Sequence, residues 1–124
     1  MEQRLTRYLN ALDEARKRSE ALTRQLEAEN RQDEANLEKI RRNVYGIFVS
    51  LAGADAAAAR RDEAPAAAFE KLHQERLSRF PEPWRQRLEK AAAHGDVITR
   101  TIEETKLETV ARIRTMFAET EETL

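Results

Sequence analysis

The chain has 124 residues, of which 40% are hydrophobic and 36% are charged, and its formal net charge is −1 at pH 7. This length suits one domain, and a near-zero net charge argues against disorder, which combines low hydrophobicity with high net charge. Cysteine is absent, so disulfides, thiolate metal sites and a cysteine nucleophile are excluded. No apolar run reaches the roughly 20 residues of a membrane span, and the N-terminus carries no secretory signal. We therefore expect a soluble, cytoplasmic protein.

In the first fifty residues, leucines and other aliphatic residues are spaced three or four positions apart within three groups, 5–12, 22–26 and 37–47, with no proline and a single glycine, Gly46. That spacing gives one narrow apolar seam, which is typical of a long helix that packs against a partner. Residues 2–51 are predicted to form one long helix or two helices nearly in line. The stretch 29–36 has no large apolar residue, so a turn there is the alternative. Continuity is favoured because this stretch lacks glycine and proline.

Five leucines of this seam are the predicted self-association site: Leu5, Leu9, Leu12, Leu22 and Leu26. A helix of the first thirty residues would be about 45 Å long, and its seam would face water unless a second molecule covered it. Closed two-fold dimers are the commonest oligomers, so the sequence predicts a homodimer, parallel or antiparallel. Residues 1–36 are accordingly interpreted as a helical extension, 37–118 as a helical bundle and 119–124 as a fraying acidic tail.

Glycine and proline divide the rest of the chain into shorter helices. Gly46 lies in the most apolar segment and is predicted to allow the close approach of another helix, with a kink as the alternative. Gly53 is predicted to end its helix. Asp55 is then expected to cap a short alanine-rich helix. Pro65 fits the first position of the helix after that, where its missing N–H costs nothing.

Two later boundaries complete the predicted all-α bundle. Pro81 and Pro83 predict a sharp corner after Phe80. Gly95 followed by Asp96 predicts the end of one helix and the N-cap of the next, with a glycine tolerated inside a longer helix as the alternative. The predicted core consists of large apolar residues at helical spacing: Val44, Ile47, Phe48, Leu51, Phe69, Leu72, Trp84, Leu88, Ile98, Ile102, Val110, Ile113 and Phe117.

Few residues are spaced as catalytic or metal-binding chemistry requires. Glu70 and His73 have the Glu-x-x-His spacing of di-iron bundles, but no second copy surrounds His94, so an ordinary i,i+3 pair on the helix surface is favoured. Thr105 and Thr109 share a helix face. Their hydroxyls are expected to bond back to the preceding turn rather than to line a polar ligand pocket.

Four arginines flank the proline corner: Arg76, Arg79, Arg85 and Arg87. Glutamates interleave with them, which favours a mixed-charge surface over a phosphate-binding one, and Trp84 in their midst is predicted to be a core anchor. The sequence thus predicts a non-enzymatic, all-α protein–protein interaction module that has no catalytic residue, cofactor or metal. The alternatives are a small nucleic-acid-associated regulator that uses these arginines and a metal-binding helical bundle.

Overall fold

The computed structural model describes residues 1–121, which form five α-helices and no strand. The helices are α1 (Glu2–Ala28), α2 (Gln32–Ala59), α3 (Pro65–Arg79), α4 (Glu82–His94) and α5 (Val97–Glu119). The predicted all-α fold is thereby confirmed. The predicted acidic tail, residues 119–124, lies partly outside the described residues.

The chain reverses direction between α1 and α2 at residues 29–31. Asn30 has a φ of 60°, a left-handed conformation that asparagine adopts more readily than most residues. The N–H groups of Asn30 and Arg31 donate to the carbonyls of Glu27 and Leu26 at 3.1 and 2.9 Å, the pairing of a Schellman helix end. The prediction of a continuous helix through residues 29–36 is therefore wrong. Asn30 adopts the left-handed conformation that ends a helix, a position usually occupied by glycine.

The first two helices form an antiparallel hairpin. Glu2 at the start of α1 pairs with Arg60 just after α2, and Glu27 near the end of α1 pairs with Lys39 near the start of α2. The two helices pack along their length. The leucine seam of α1 therefore finds its partner within the same molecule.

The fifth helix runs parallel to α2 and closes one end of the bundle. Arg4 in α1 contacts the end of α5, whereas Ile98 at its start lies beside Ile40 of α2. We call the end that holds the start of α1 and the ends of α2 and α5 the closed end, and the opposite end the open end. The shorter α3 packs on α2, and α4 packs on α5.

One hydrophobic cluster receives side chains from all five helices. Phe48 packs edge-on against Phe80 at the corner between α3 and α4, where Phe80 in turn meets Trp84. Trp84 belongs to this cluster, as predicted for a core anchor. Because Leu5 and Leu12 belong to it as well, residues 1–36 are no separate extension, and the boundary predicted at residue 37 does not divide the structure.

The outcome of the predicted helix boundaries is mixed. Pro65 is the first residue of α3, and Gly95 ends α4 with a φ of 70°, as predicted. Asp96 caps α5 by accepting a hydrogen bond from the Thr99 N–H at 3.1 Å, also as predicted.

Both predictions for the glycines of α2 are wrong. Gly53 lies inside α2, which continues through alanines to Ala59 because alanine is the best helix former. A Cβ at Gly46 would meet no atom within 4 Å, so no helix approaches closely there. Asp55 does not cap a helix either: it is a buried residue inside α2.

Candidate functional site

The five leucines predicted to mediate self-association have different surroundings. Leu5, Leu12 and Leu26 are buried within the molecule, and Leu9 packs partly buried against the core. Only Leu22 is exposed, at 40%. The hairpin therefore covers most of the seam, which removes the physical reason for pairing a second copy along it. Self-association itself stays a prediction.

A chain of buried polar side chains joins α1, α2 and α3 near the closed end. His73 Nδ1 lies 3.0 Å from Asp55 Oδ2, and the Tyr8 hydroxyl lies 2.7 Å from His73 Nε2. A carboxylate can only accept, so Nδ1 of the neutral imidazole donates to Asp55 and Nε2 accepts from Tyr8. Arg76 donates to the other oxygen of Asp55 at 2.7 Å. No local sequence pattern indicates this cluster, because its members lie far apart in the chain.

Burial sets the protonation states within this cluster. Burial lowers the pKa of His73, although hydrogen bonding and attraction to Asp55 oppose the shift. Burial also raises the pKa of the Tyr8 phenol, and the charge of Asp55 adds to the rise. Histidine is therefore neutral and tyrosine protonated at physiological pH.

The cluster has the order of a carboxylate–histidine–hydroxyl relay, but it is sealed. Tyr8 and His73 each have 0% of their surface exposed, and the rings of Phe69 and Phe117 pack against the imidazole. A nucleophile must reach its substrate, and no substrate can reach this hydroxyl. The arrangement holds three helices in register through satisfied hydrogen bonds.

The residues considered for a metal site are engaged elsewhere. Glu70 forms an ion pair with Arg4, and both ring nitrogens of His73 have hydrogen-bond partners. Arg4 itself lies 3.9 Å from the centre of the Phe117 ring and donates to the Phe117 carbonyl. Within residues 1–121, no group of three or more potential ligands could hold a metal ion.

The arginines around the proline corner are mostly paired. Arg76 binds Asp55, Arg85 binds Glu82, and Arg87 lies 3.8 Å from Glu103. This agrees with the mixed-charge surface predicted from the sequence. The threonine prediction is likewise confirmed: the hydroxyls of Thr105 and Thr109 donate to the carbonyls four residues earlier, each at 2.8 Å.

An open groove lies at the other end of the bundle. It consists of three neighbouring depressions, which we call together the open-end groove. The first lies between α1, α2 and α5 and includes Leu22, Glu38 and Arg112. The second shares Leu22 and Glu38 with it, and the third shares Leu37 with the second. Successive depressions thus share lining residues from the middle of α1 to the start of α5.

The third depression is the most apolar part of the groove. It encloses about 350 Å³ and is lined mainly by aliphatic side chains: Leu37, Ile40, Val97, Ile98 and Ile102. Val97 is 70% exposed and Ile98 is 76% exposed. With Leu22 they are the only exposed large hydrophobic residues in the part of the chain that the structure describes, and all three line this groove.

The exposure of Ile98 contradicts its predicted place in the core. Val97 and Ile98 are the first two residues of α5, directly after the N-cap Asp96. Residues 92–98 are all exposed, so the turn that joins α4 to α5 lies at the surface together with the first residues of α5. This exposure follows from tertiary packing, which the helical spacing of Ile98 does not reveal.

Comparison of this chain with known protein families, with curated proteins and with solved structures finds no match. No helix among residues 1–121 combines the length and the apolar character that crossing a membrane requires. The function is therefore argued from the geometry of the groove alone.

Proposed function

We propose that this chain is a non-enzymatic, cytoplasmic protein–protein interaction module that binds a helix of another protein in the open-end groove. The observation that carries the proposal is the position of its exposed hydrophobic residues. Other large apolar side chains of the described chain are buried or partly buried, whereas Leu22, Val97 and Ile98 are exposed and line neighbouring depressions of the open-end groove. Contiguous exposed apolar surface rimmed by polar residues is typical of interaction sites.

The shape of the groove favours a helical ligand. The walls of the first depression are helices α1 and α5, and α2 forms its floor at Glu38 and Tyr45. The second depression lies between α1 and α2, and the third lies between α2 and α5. A helix presents side chains at positions i, i+3, i+4 and i+7 on one face, and such a face fits a groove between helices. The sealed Tyr8–His73 cluster gives no support to an enzymatic alternative, and the paired arginines of the corner give none to nucleic-acid binding.

Selection from a displayed library of helical peptides, each about five turns long, tests this proposal. We expect binders with apolar residues at helical spacing that lose affinity for the Val97→Glu/Ile98→Glu variant. Ala111→Glu is the matched control, because Ala111 is exposed on the same helix and lines none of the depressions. The proposal would be contradicted if the selection recovered no binder, or if the recovered peptides bound the double variant as tightly as wild type.

A further inference from the structure

We propose that the helix bound in the open-end groove is amphipathic and carries acidic side chains at the end of its apolar stripe. This inference rests on the proposed function and adds the chemistry of the partner. It follows from the charges that line the groove and from which of them are already paired within the molecule.

The charged residues of the second depression are paired with one another. Arg31 forms an ion pair with Glu34, and Arg41 donates to Glu38 at 2.7 Å. Such pairs leave little net field for a ligand, because each arginine has a carboxylate beside it. Recognition by charge must therefore come from residues without such a partner.

Three charged residues of the groove have no hydrogen bond or ion pair with any described residue. Arg18 on α1 and Arg112 on α5 both line the first depression, where the only carboxylate, Glu38, is already bound to Arg41. Asp33 lines the apolar third depression. The groove thus has two unpaired positive charges at one end and one negative charge beside its apolar end.

The Arg41 guanidinium, which lines the second depression beside Glu38, is further evidence that hydrogen-bond acceptors are few there. Its Nε is buried and has no hydrogen-bond partner, although its Nη1 binds Glu38. Arginine recognises carboxylates through two parallel hydrogen bonds. An acidic side chain entering beside Glu38 would bring negative charge near Arg18 and Arg112, which have no carboxylate partner, and near Arg41, which has only Glu38.

A second copy of this chain suits the groove less well. A two-fold contact places the same surface patch on both sides, so groove would face groove and neither would be filled. It would also bring Arg18 and Arg112 of both copies to one interface, where like charges oppose association. A convex helix with acidic residues satisfies both the shape and the charge.

Two synthetic peptides of about five turns test this inference by fluorescence anisotropy with the full chain. Both carry the same leucine stripe, and one terminal turn carries glutamates in the first peptide and lysines in the second. The protein is used as wild type and as the Arg18→Glu/Arg112→Glu variant. Both arginines are exposed, so the variant should have the same urea midpoint as wild type. Comparing the affinities of the two peptides for the two proteins separates the effect of charge pairing from any difference in peptide helicity.

We expect the charge reversal to lower the affinity for the acidic peptide by about tenfold and to raise the affinity for the basic peptide by a similar factor. Both effects should shrink as salt is raised towards 1 M, where the screening length falls to about 3 Å. Ile98→Ser should weaken the binding of both peptides by the same factor, because it removes apolar contact that the two share and adds no charge.

Three outcomes would overturn the inference. If both peptides bind but charge reversal changes neither, the acidic partner is wrong while the proposed function stands. If neither peptide binds at millimolar concentration and no library peptide is recovered, both proposals fail together. If sedimentation of the chain alone shows a dimer that Ile98→Glu dissociates, the occupant of the groove is a second copy.

Discussion

The two ends of this bundle differ in how the side chains of α1 meet the rest of the molecule. Along the inward row of α1, Tyr8 and Leu12 at the closed end give way to Ala15 and Ser19 towards the open end. Large side chains fill the space between the helices at one end, and small ones leave it open at the other. The groove thus begins where the inward residues of α1 become small.

The comparison also separates two uses of polar residues. At the closed end, Tyr8, Asp55 and His73 are buried and satisfy one another, which fixes the helices in one arrangement. At the open end, Arg18 and Arg112 are exposed and unpaired within the described chain. Satisfied buried groups contribute to stability, whereas unpaired exposed charges are free to meet a partner.

The largest expected difference between the two ends concerns two leucines of the same helix. Leu12→Glu should unfold the chain, because Leu12 is 0% exposed and a buried, unpaired carboxylate costs a large part of a total stability of about 5–15 kcal/mol. Leu22→Glu, at the open end, should leave the free energy of unfolding, measured by urea titration, within about 0.5 kcal/mol of wild type.

Leu12→Glu, alone and combined with Leu9→Glu, also decides the role of the leucine seam. The homodimer prediction requires Leu12→Glu, combined with Leu9→Glu, to dissociate a dimer while the bundle stays folded. The structure predicts loss of the helical circular dichroism signal instead. A folded Leu12→Glu monomer would show that the hairpin does not depend on this contact.

A smaller effect is expected from the polar cluster of the closed end. Asp55→Ala should lower the free energy of unfolding by about 3 kcal/mol, because it leaves the buried N–H of His73 without an acceptor. Glu34→Ala is the matched control at the open end, since its partner Arg31 is exposed. Urea titrations that show equal losses for both variants would refute the contrast between the two ends.

How much of this arrangement could be read from the sequence depended on distance along the chain. The all-α fold, the start of α3 at Pro65 and the helix end at Gly95 follow from local residue preferences, and the structure confirms them. The turn at Asn30 was harder, because asparagine in a left-handed conformation is far less diagnostic than glycine.

The polar cluster and the groove could not be derived from local patterns. Tyr8 and His73 are 65 positions apart, and their contact exists only because the hairpin brings α1 beside α3. Asp55 was assigned to a cap because an aspartate before alanines resembles one, whereas tertiary contacts placed it inside α2. Long-range contacts fix both sites, and single-sequence periodicity does not contain them.

The pH dependence of stability should sharpen the contrast, because its source lies at the closed end. The pKa of His73 is lowered in the folded state, so the unfolded chain binds the proton more readily. Stability from this site is complete above the ordinary histidine pKa of about 6.5 and falls as the pH drops from there towards the folded value. The urea midpoint should therefore decrease between pH 7.5 and 5.5.

A His73→Gln variant provides the control for that titration. It keeps a neutral polar side chain at the same place, so its midpoint should be lower but nearly constant over this pH range. The other histidine, His94, is exposed at the end of α4. A pH slope that survives His73→Gln would place its origin outside the cluster.

The smallest expected change in stability belongs to the residue that matters most for binding. Ile98→Ser removes a side chain that is 76% exposed, so little apolar burial is lost and the unfolding free energy should stay within about 0.5 kcal/mol of wild type. A loss above about 2 kcal/mol in urea would show that Ile98 is packed in solution, as the sequence predicted. An unchanged midpoint together with lost peptide binding would show that the open end serves recognition and contributes little to folding.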